Sequence, residues 1–279
     1  MNASARILHI GILSVVAAIG LLAAPGFSLY AQDPNPARAS VETSAKTIGV
    51  IGGVSWLSSA EYYRLMNEMV RERLGGLHSA KILMYSIEFG EFSKQERLAD
   101  RGDWAPLVAT MLDAAERLKR GGADFIVIAS NTLNSQAPLI EEKVGIPVIH
   151  IADATAAAAK EKGVGTVALL GTKYTMEQPF YRERLERQGL KVVVPNAEER
   201  DYINHVIFEE LCAGQITEES RRGFVRIIER LVKDQGAQAA ILGCTEIPLL
   251  IKQSDVSVPT LDTTAIHSAA AVKRSLQGQ

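Results

Sequence analysis

Short apolar runs bounded by turn formers alternate with stretches whose apolar residues recur at helical spacing, from Lys46 almost to the end of the chain. Ile48–Gly53, Ile82–Ile87, Ala123–Ser130, Gly145–Ile151, Gly165–Thr172 and Ala239–Leu242 are the strand-length runs. Continuous apolar character without strict alternation predicts strands buried on both faces, as in a parallel sheet. Between them, Ser58 and Ser59 are expected to cap a helix carrying Tyr62, Leu65, Met66 and Met69 on one side. Trp104–Arg120 predicts a second helix, with Leu107, Met111, Ala114, Ala115 and Leu118 on its apolar face. Further helices are expected from near Ser135, over Asp153–Lys162, and over Thr264–Leu276.

The pattern is duplicated. Gly121-Gly122-Ala123 leads into an apolar run that ends at Ser130, seven positions after Ala123. Gln235-Gly236-Ala237 leads into one that ends at Cys244, seven positions after Ala237. Gly165–Thr172 echoes Ile48–Gly53, and Pro179-Phe180-Tyr181-Arg182 echoes Glu61-Tyr62-Tyr63-Arg64. Strand–helix alternation with an internal repeat predicts an α/β fold of two pseudo-symmetric lobes, each a mainly parallel sheet flanked by helices. Residues 47–145 with 259–279 are assigned to the first lobe and 146–258 to the second. Ligands of such sheets sit beyond the carboxyl ends of the strands. The thiol of Cys244 and the hydroxyl of Ser130 are therefore expected to face one cleft between the lobes. The glycine turn after Ile51 lacks the G-x-G-x-x-G spacing and reads as a structural turn rather than a dinucleotide site.

Composition narrows the function. The 279 residues are 47% hydrophobic and 22% charged, ordinary for a globular chain. A formal net charge of −2 and the lack of any long Lys/Arg cluster argue against nucleic acid as a partner. Two cysteines make neither a disulfide framework nor a zinc site. Cys212 reads as a packing residue of an amphipathic segment, and His150 and His267, beside apolar runs, as core or capping histidines. Arg6, the apolar run Ile12–Ala24 and the small residues near Ala31 have the order of a secretory signal peptide. Residues 1–31 are expected to be removed on export to the periplasm, leaving no stable membrane anchor, with 32–46 a polar linker.

Several longer stretches carry a resemblance. Ile51-Gly52-Gly53-Val54-Ser55-Trp56, Ser86-Ile87-Glu88-Phe89, Asn131-Thr132, His150-Ile151-Ala152-Asp153-Ala154-Thr155, Leu170–Met176 and Gly243-Cys244-Thr245-Glu246-Ile247 occur in one order. In them the chain resembles the cofactor-independent aspartate/glutamate racemases, particularly their broad-specificity branch, from about Lys46 to Leu276. The resemblance implies a racemase of aspartate, glutamate or a similar amino acid that needs no cofactor or metal, and it allows a homodimer. It implies two acid/base residues flanking the substrate Cα: Cys244 on one side and Ser130 where the family carries its first cysteine. Val54, Gln95, Asn131, Thr132, Thr172 and Thr245 are the implied substrate contacts. A thiol, with an ordinary pKa of about 8.5, becomes a usable base if neighbouring donors lower that value, and this is expected of Cys244. A serine is a weaker acid, and Asn134 stands where family members often have histidine. A lyase or decarboxylase of a malonate-like acid, using one thiol as proton donor, is the enzymatic alternative. A non-catalytic periplasmic amino-acid-binding protein is the other. Glu246 either orients Cys244 or caps the following turn.

Overall fold

The computed structural model describes residues 45–277, so the apolar N-terminal run and nearly all of the polar segment after it lie outside the described residues. The first half contains β1 (Ile48–Gly52), α1 (Trp56–Leu74), β2 (Ile82–Ser86), α2 (Phe89–Ala99), α3 (Ala105–Arg120), β3 (Phe125–Ile128), α4 (Ala137–Val144), β4 (Val148–Ile149) and α5 (Ile151–Glu161). The second contains β5 (Thr166–Gly171), α6 (Lys173–Glu177), α7 (Pro179–Arg187), β6 (Lys191–Val193), α8 (Ala197–His205), α9 (Glu218–Gln235), β7 (Ala239–Gly243), α10 (Ile247–Leu250), β8 (Thr260–Asp262) and α11 (Thr263–Ser275). The strands form two parallel sheets of the same topology, β2-β1-β3-β4 and β6-β5-β7-β8.

The duplication seen in the sequence is a duplication of hydrogen bonds. Asp124 N donates to Thr47 O at 2.9 Å, and Gln238 N to Thr166 O at 2.8 Å. Ile126 N reaches Pro147 O at 2.8 Å and Ala240 N reaches Pro259 O at 2.9 Å. β3 and β7 are buried throughout and send alternate residues to opposite faces. Ile126 and Ile128 meet Met111, Leu118 and Ile140 of α3 and α4. Phe125 and Val127 meet Tyr62 and Met66 of α1 with Ala271 and Val272 of α11. In the second sheet Ala240 and Leu242 pack on Phe224 and Ile228 of α9, and Ala239 and Ile241 on Ala156 and Ala159 of α5.

The last helix of each half thus packs on the sheet of the other half. α5 follows β4 of the first sheet yet lies on the second; α11 follows β8 of the second yet lies on the first. Buried tyrosines anchor both crossings at matching places. Tyr181 OH lies 3.4 Å from Thr155 Oγ1 on α5, and Tyr62 OH lies 2.9 Å from His267 Nδ1 on α11. His267 Nε2 is 2.8 Å from Ile149 O, a carbonyl that can only accept, so Nδ1 is the unprotonated nitrogen and takes the Tyr62 proton. Burial holds His267 neutral, its pKa lowered to about 4. His150 caps α5 by accepting from Ala152 N at 3.1 Å, and burial lowers it to about 3.

Several boundaries differ from the sequence expectation. Strand Val148–Ile149, assigned by sequence to the second lobe, pairs with β3 in the first sheet. Strand Thr260–Asp262, assigned to the first, pairs with β7 in the second. Each is the crossing strand, whose residues look alike whichever sheet they join. α1 begins at Trp56 rather than after Ser58 and Ser59, because Ser55 is its cap. The Ser58 and Ser59 hydroxyls instead donate to Ser55 O at 2.9 and 3.0 Å. α5 likewise starts at Ile151, before Asp153, and α2 was not expected. At the end of β1, Gly53 has φ +99°, and a Cβ there would lie 2.1 Å from Ile87 O, so the turn admits glycine alone.

Candidate active site

The carboxyl ends of β1, β3, β5 and β7 converge on a chamber of about 70 Å3. Ser130 and Cys244 both line it, as do Val54, Asn131, Thr132, Thr172 and Thr245. Seven of the eight residues singled out in the sequence therefore surround one space. The exception is Gln95, which lies on neither this chamber nor the larger cavity beside it. Its Oε1 accepts from Thr110 Oγ1 at 2.9 Å, a contact between α2 and α3 that turns it away.

On one side of the chamber, Cys244 follows β7 directly and is 8% exposed. Its Sγ donates to Glu246 Oε2 at 3.0 Å. The same carboxylate oxygen accepts from Thr245 Oγ1 at 2.7 Å, and Oε1 accepts from Ser55 Oγ at 3.2 Å. Glu246 makes no capping bond to α10, which decides between the two roles open for it. It is held between the β1 turn and the thiol. Burial pushes the Cys244 thiol well above the ordinary thiol range, and the Glu246 charge pushes it further. This corrects the expectation of a lowered pKa: the neighbour is an anion rather than a set of donors, so the thiol rests protonated.

From the first sheet, Ser130 stands two residues past β3 and its Oγ accepts from Leu133 N at 3.4 Å, the start of a short 3-10 turn over Thr132–Gln136. Asn134 does not take the place of an acid/base histidine. It is fully buried, donating to Ser130 O at 2.7 Å and Ile128 O at 3.1 Å while accepting from Ile151 N at 3.0 Å. It fixes the Ser130 backbone against the start of α5. Asn131 donates to Thr263 Oγ1 at 3.0 Å and so ties β3 to α11. Its Oδ1 is buried without a hydrogen-bond partner among the described residues. Thr132 Oγ1 lies 3.2 Å from Thr172 Oγ1 and 3.3 Å from Thr175 Oγ1, a hydroxyl cluster that joins the lobes. Among the described residues the amides of Ser130, Asn131 and Thr245 donate to no backbone carbonyl. With the Thr132 hydroxyl they are the donors available to a carboxylate, the Thr245 hydroxyl being committed to Glu246.

Some chamber residues escaped the sequence reading. Glu96 of α2 lies on the wall shared with the outer cavity. It is four residues after buried Phe92 and three before buried Ala99, so a carboxylate on the apolar face of an amphipathic helix was the available signal. Phe208, in a π-helical turn after α8, closes the chamber from the second half. Cys212, read as packing, also lines the chamber, while Leu211 fills the core. Both cysteines are free, Cys244 buried and Cys212 exposed; desolvation of the Cys212 thiol where it lines the chamber, followed by the Glu246 charge, pushes it up to about 12. No group of three or more His, Cys, Asp or Glu side chains among the described residues is placed to hold a metal ion.

Comparison with known proteins agrees with this architecture. The model of the family described as Asp/Glu/Hydantoin racemase matches residues 51–271. A crystal structure of a protein assigned to the Asp/Glu racemases from Yersinia pestis is 48% identical, covers 83% of this chain and 100% of that one, and superposes with a TM-score of 0.77. An aspartate racemase homologue from Pyrococcus horikoshii is 38% identical, covers 82% and 99%, and has a TM-score of 0.72. Glutamate racemase of Koribacter versatilis is 30% identical over 205 residues, 70% of this chain and 66% of that protein. The chain spans between half and two thirds of the length of the first glutamate racemases it matches.

Proposed function

Because the chain belongs to the Asp/Glu/Hydantoin racemase family, we propose that it is a cofactor-independent amino-acid racemase in which Cys244 and Ser130 exchange the Cα proton of a free amino acid. One observation carries the reading. A thiol and a hydroxyl end equivalent strands of two pseudo-symmetric sheets and line one chamber, as a reaction that treats both faces of a carbon requires.

The raised Cys244 thiol supports a division of roles. Cys244, a thiol at rest, is ready to deliver a proton to Cα. To remove one it first gives its own proton to Glu246 Oε2, 3.0 Å away. Ser130 supplies or relays the proton on the opposite face. Charge that develops on the α-carboxylate as the carbanion forms meets the strand-end amides and the Thr132 hydroxyl, donors already in place. Aspartate and glutamate are the substrates the family resemblance brings first.

A second reading has an observation of its own. A lyase or decarboxylase of a malonate-like acid needs Cys244 only as proton donor, and the raised thiol favours that step. A panel of enantiopure amino acids in heavy water separates the readings. Racemisation gives deuterium at Cα with inversion; decarboxylation of a malonate panel gives carbon dioxide; a binding protein gives a ligand-dependent thermal shift with neither. Absence of Cα exchange with every amino acid would overturn the racemase reading. Export is part of the proposal: protein recovered from the native host should have a mass that begins near Gln32, and a product retaining Met1 would refute it.

A further inference from the structure

The chamber between Cys244 and Ser130, about 70 Å3, has room for the reacting carbon and its immediate substituents. A long substrate side chain must leave it. The exit is a second cavity of about 530 Å3 whose wall shares Phe89, Glu96, Thr132, Thr172 and Phe208 with the first. The residues of these walls decide which side chain fits.

An acidic side chain needs a cation at its far end. None of the residues lining the chamber is Lys, Arg or His, and two are glutamates, Glu96 and Glu246. Glu246 is occupied by the Cys244, Thr245 and Ser55 hydrogen bonds. Glu96 is not: burial and then the Asp100 charge push it up to about 7, with Arg97 opposing, and no hydrogen bond enters the balance. The outer cavity does contain two cations, both exposed, and Lys173 is paired with Asp201 at 2.6 Å. Aromatic rings line the passage instead. Phe89 and Phe208 stand at the shared wall, and Trp104 and Tyr174 stand beyond it with centroids 5.9 Å apart. Such a path suits an apolar stem that ends in a cation, which ring faces attract and a carboxylate can pair.

We propose that the substrate is an α-amino acid with a long basic side chain, such as lysine, ornithine or arginine, whose terminal ammonium or guanidinium is held by Glu96 at the junction of the two cavities. The inference rests on the racemase reading for its chemistry and departs from the acidic substrates that the family resemblance suggests. Glu96 acts as the specificity residue and takes no part in the proton transfers.

The test measures Cα deuterium incorporation for lysine, ornithine, arginine, methionine, aspartate and glutamate with the wild type and Glu96→Gln, together with thermal shifts for the same ligands. Basic amino acids should exchange with at least about tenfold higher kcat/KM than aspartate or glutamate, a charge-assisted hydrogen bond being worth roughly that factor or more. Glu96→Gln should lower the values for lysine and arginine by a similar factor and leave methionine within about threefold. Aspartate or glutamate exchanging faster than lysine in the wild type would overturn the inference while the racemase reading stands, and that arm needs no variant to fold. A uniform loss across all side chains in Glu96→Gln would also overturn it, by placing Glu96 at the α-ammonium. No exchange with any amino acid, but an Glu96-dependent thermal shift with lysine and none with glutamate, would support the side-chain assignment and sink the racemase reading. No exchange with any of the six amino acids, together with no thermal shift for the basic ones, would sink both.

Discussion

Replacing Glu246 by Gln tests the thiol–carboxylate pair, since it keeps the shape of the side chain and removes its charge and its capacity to take a proton. Three donors converge on this carboxylate: Cys244 Sγ at 3.0 Å, Thr245 Oγ1 at 2.7 Å and Ser55 Oγ at 3.2 Å. The amide oxygen of Gln can still accept from one or two of them, so the loss of stability should be about 1 kcal/mol, the scale of a typical hydrogen bond. The effect on turnover should be much larger. A positioned general base contributes roughly 10²- to 10⁴-fold, or about 3 to 5 kcal/mol at about 1.4 kcal/mol per tenfold. The thiol itself should move the other way. Burial is the largest cause of its raised pKa and remains, but the charge and hydrogen bond of Glu246 disappear. The apparent pKa of Cys244 should therefore fall while staying above the ordinary thiol range.

The assay is iodoacetamide alkylation against pH, with the Cys244 peptide followed by mass spectrometry so that Cys212 does not interfere, alongside Cα exchange in heavy water. The expected result is faster alkylation at a given pH and slower exchange in the same variant. A residue that merely supported the fold would not separate the two readouts in opposite directions. Exchange at the wild-type rate, or an alkylation profile that does not shift to lower pH, would refute the pair as the source of the base.

Ser130→Ala should depress racemisation while leaving one-sided Cα exchange through Cys244, and Ser130→Cys should raise the slower direction; because the equilibrium between enantiomers stays even, kcat/KM stays equal in the two directions and any asymmetry between them appears in kcat and KM separately. Racemisation by Ser130→Ala at the wild-type rate would remove Ser130 from the mechanism. Gly53→Ala should cost about 3 kcal/mol or more, from the positive φ and the overlap with Ile87 O, and a urea midpoint that barely moves would contradict the tight turn. The buried histidines set an acid limit: with folded pKa values of about 4 for His267 and about 3 for His150, below the ordinary 6.5, their stabilisation is present above about pH 6.5 and lost as pH falls through those values. Glu96 acts in the opposite sense, since a carboxyl raised to about 7 contributes below its ordinary 4.5 and loses that contribution as pH rises through 7. Urea midpoints from pH 4 to 8 should thus show His267→Gln flattening the acid side and Glu96→Gln gaining on the wild type as pH rises; an unchanged profile in either variant would refute the corresponding assignment.

Much of the architecture was legible because burial on both faces of a strand leaves a continuous apolar run, and because the repeat of that run put Ser130 and Cys244 at equivalent places. The turn glycines and strand ends then directed attention to one chamber before any coordinate was known. The sequence could not say that α5 and α11 cross to the opposite sheet, since an alanine-rich apolar face packs equally well on either, and so the assignments of β4 and β8 were exchanged. It also could not place Glu96 or Cys212 in the chamber that Cys244 lines. Their contact with the site depends on how α2 and the turn after α8 close over strands far from them in the chain. The state of the thiol was the furthest from reach. The Gly-Cys-Thr-Glu stretch shows that a carboxylate lies two residues away, but only the fold turns it back onto Sγ, joins it to Ser55 from the other lobe and excludes the water that would have screened its charge.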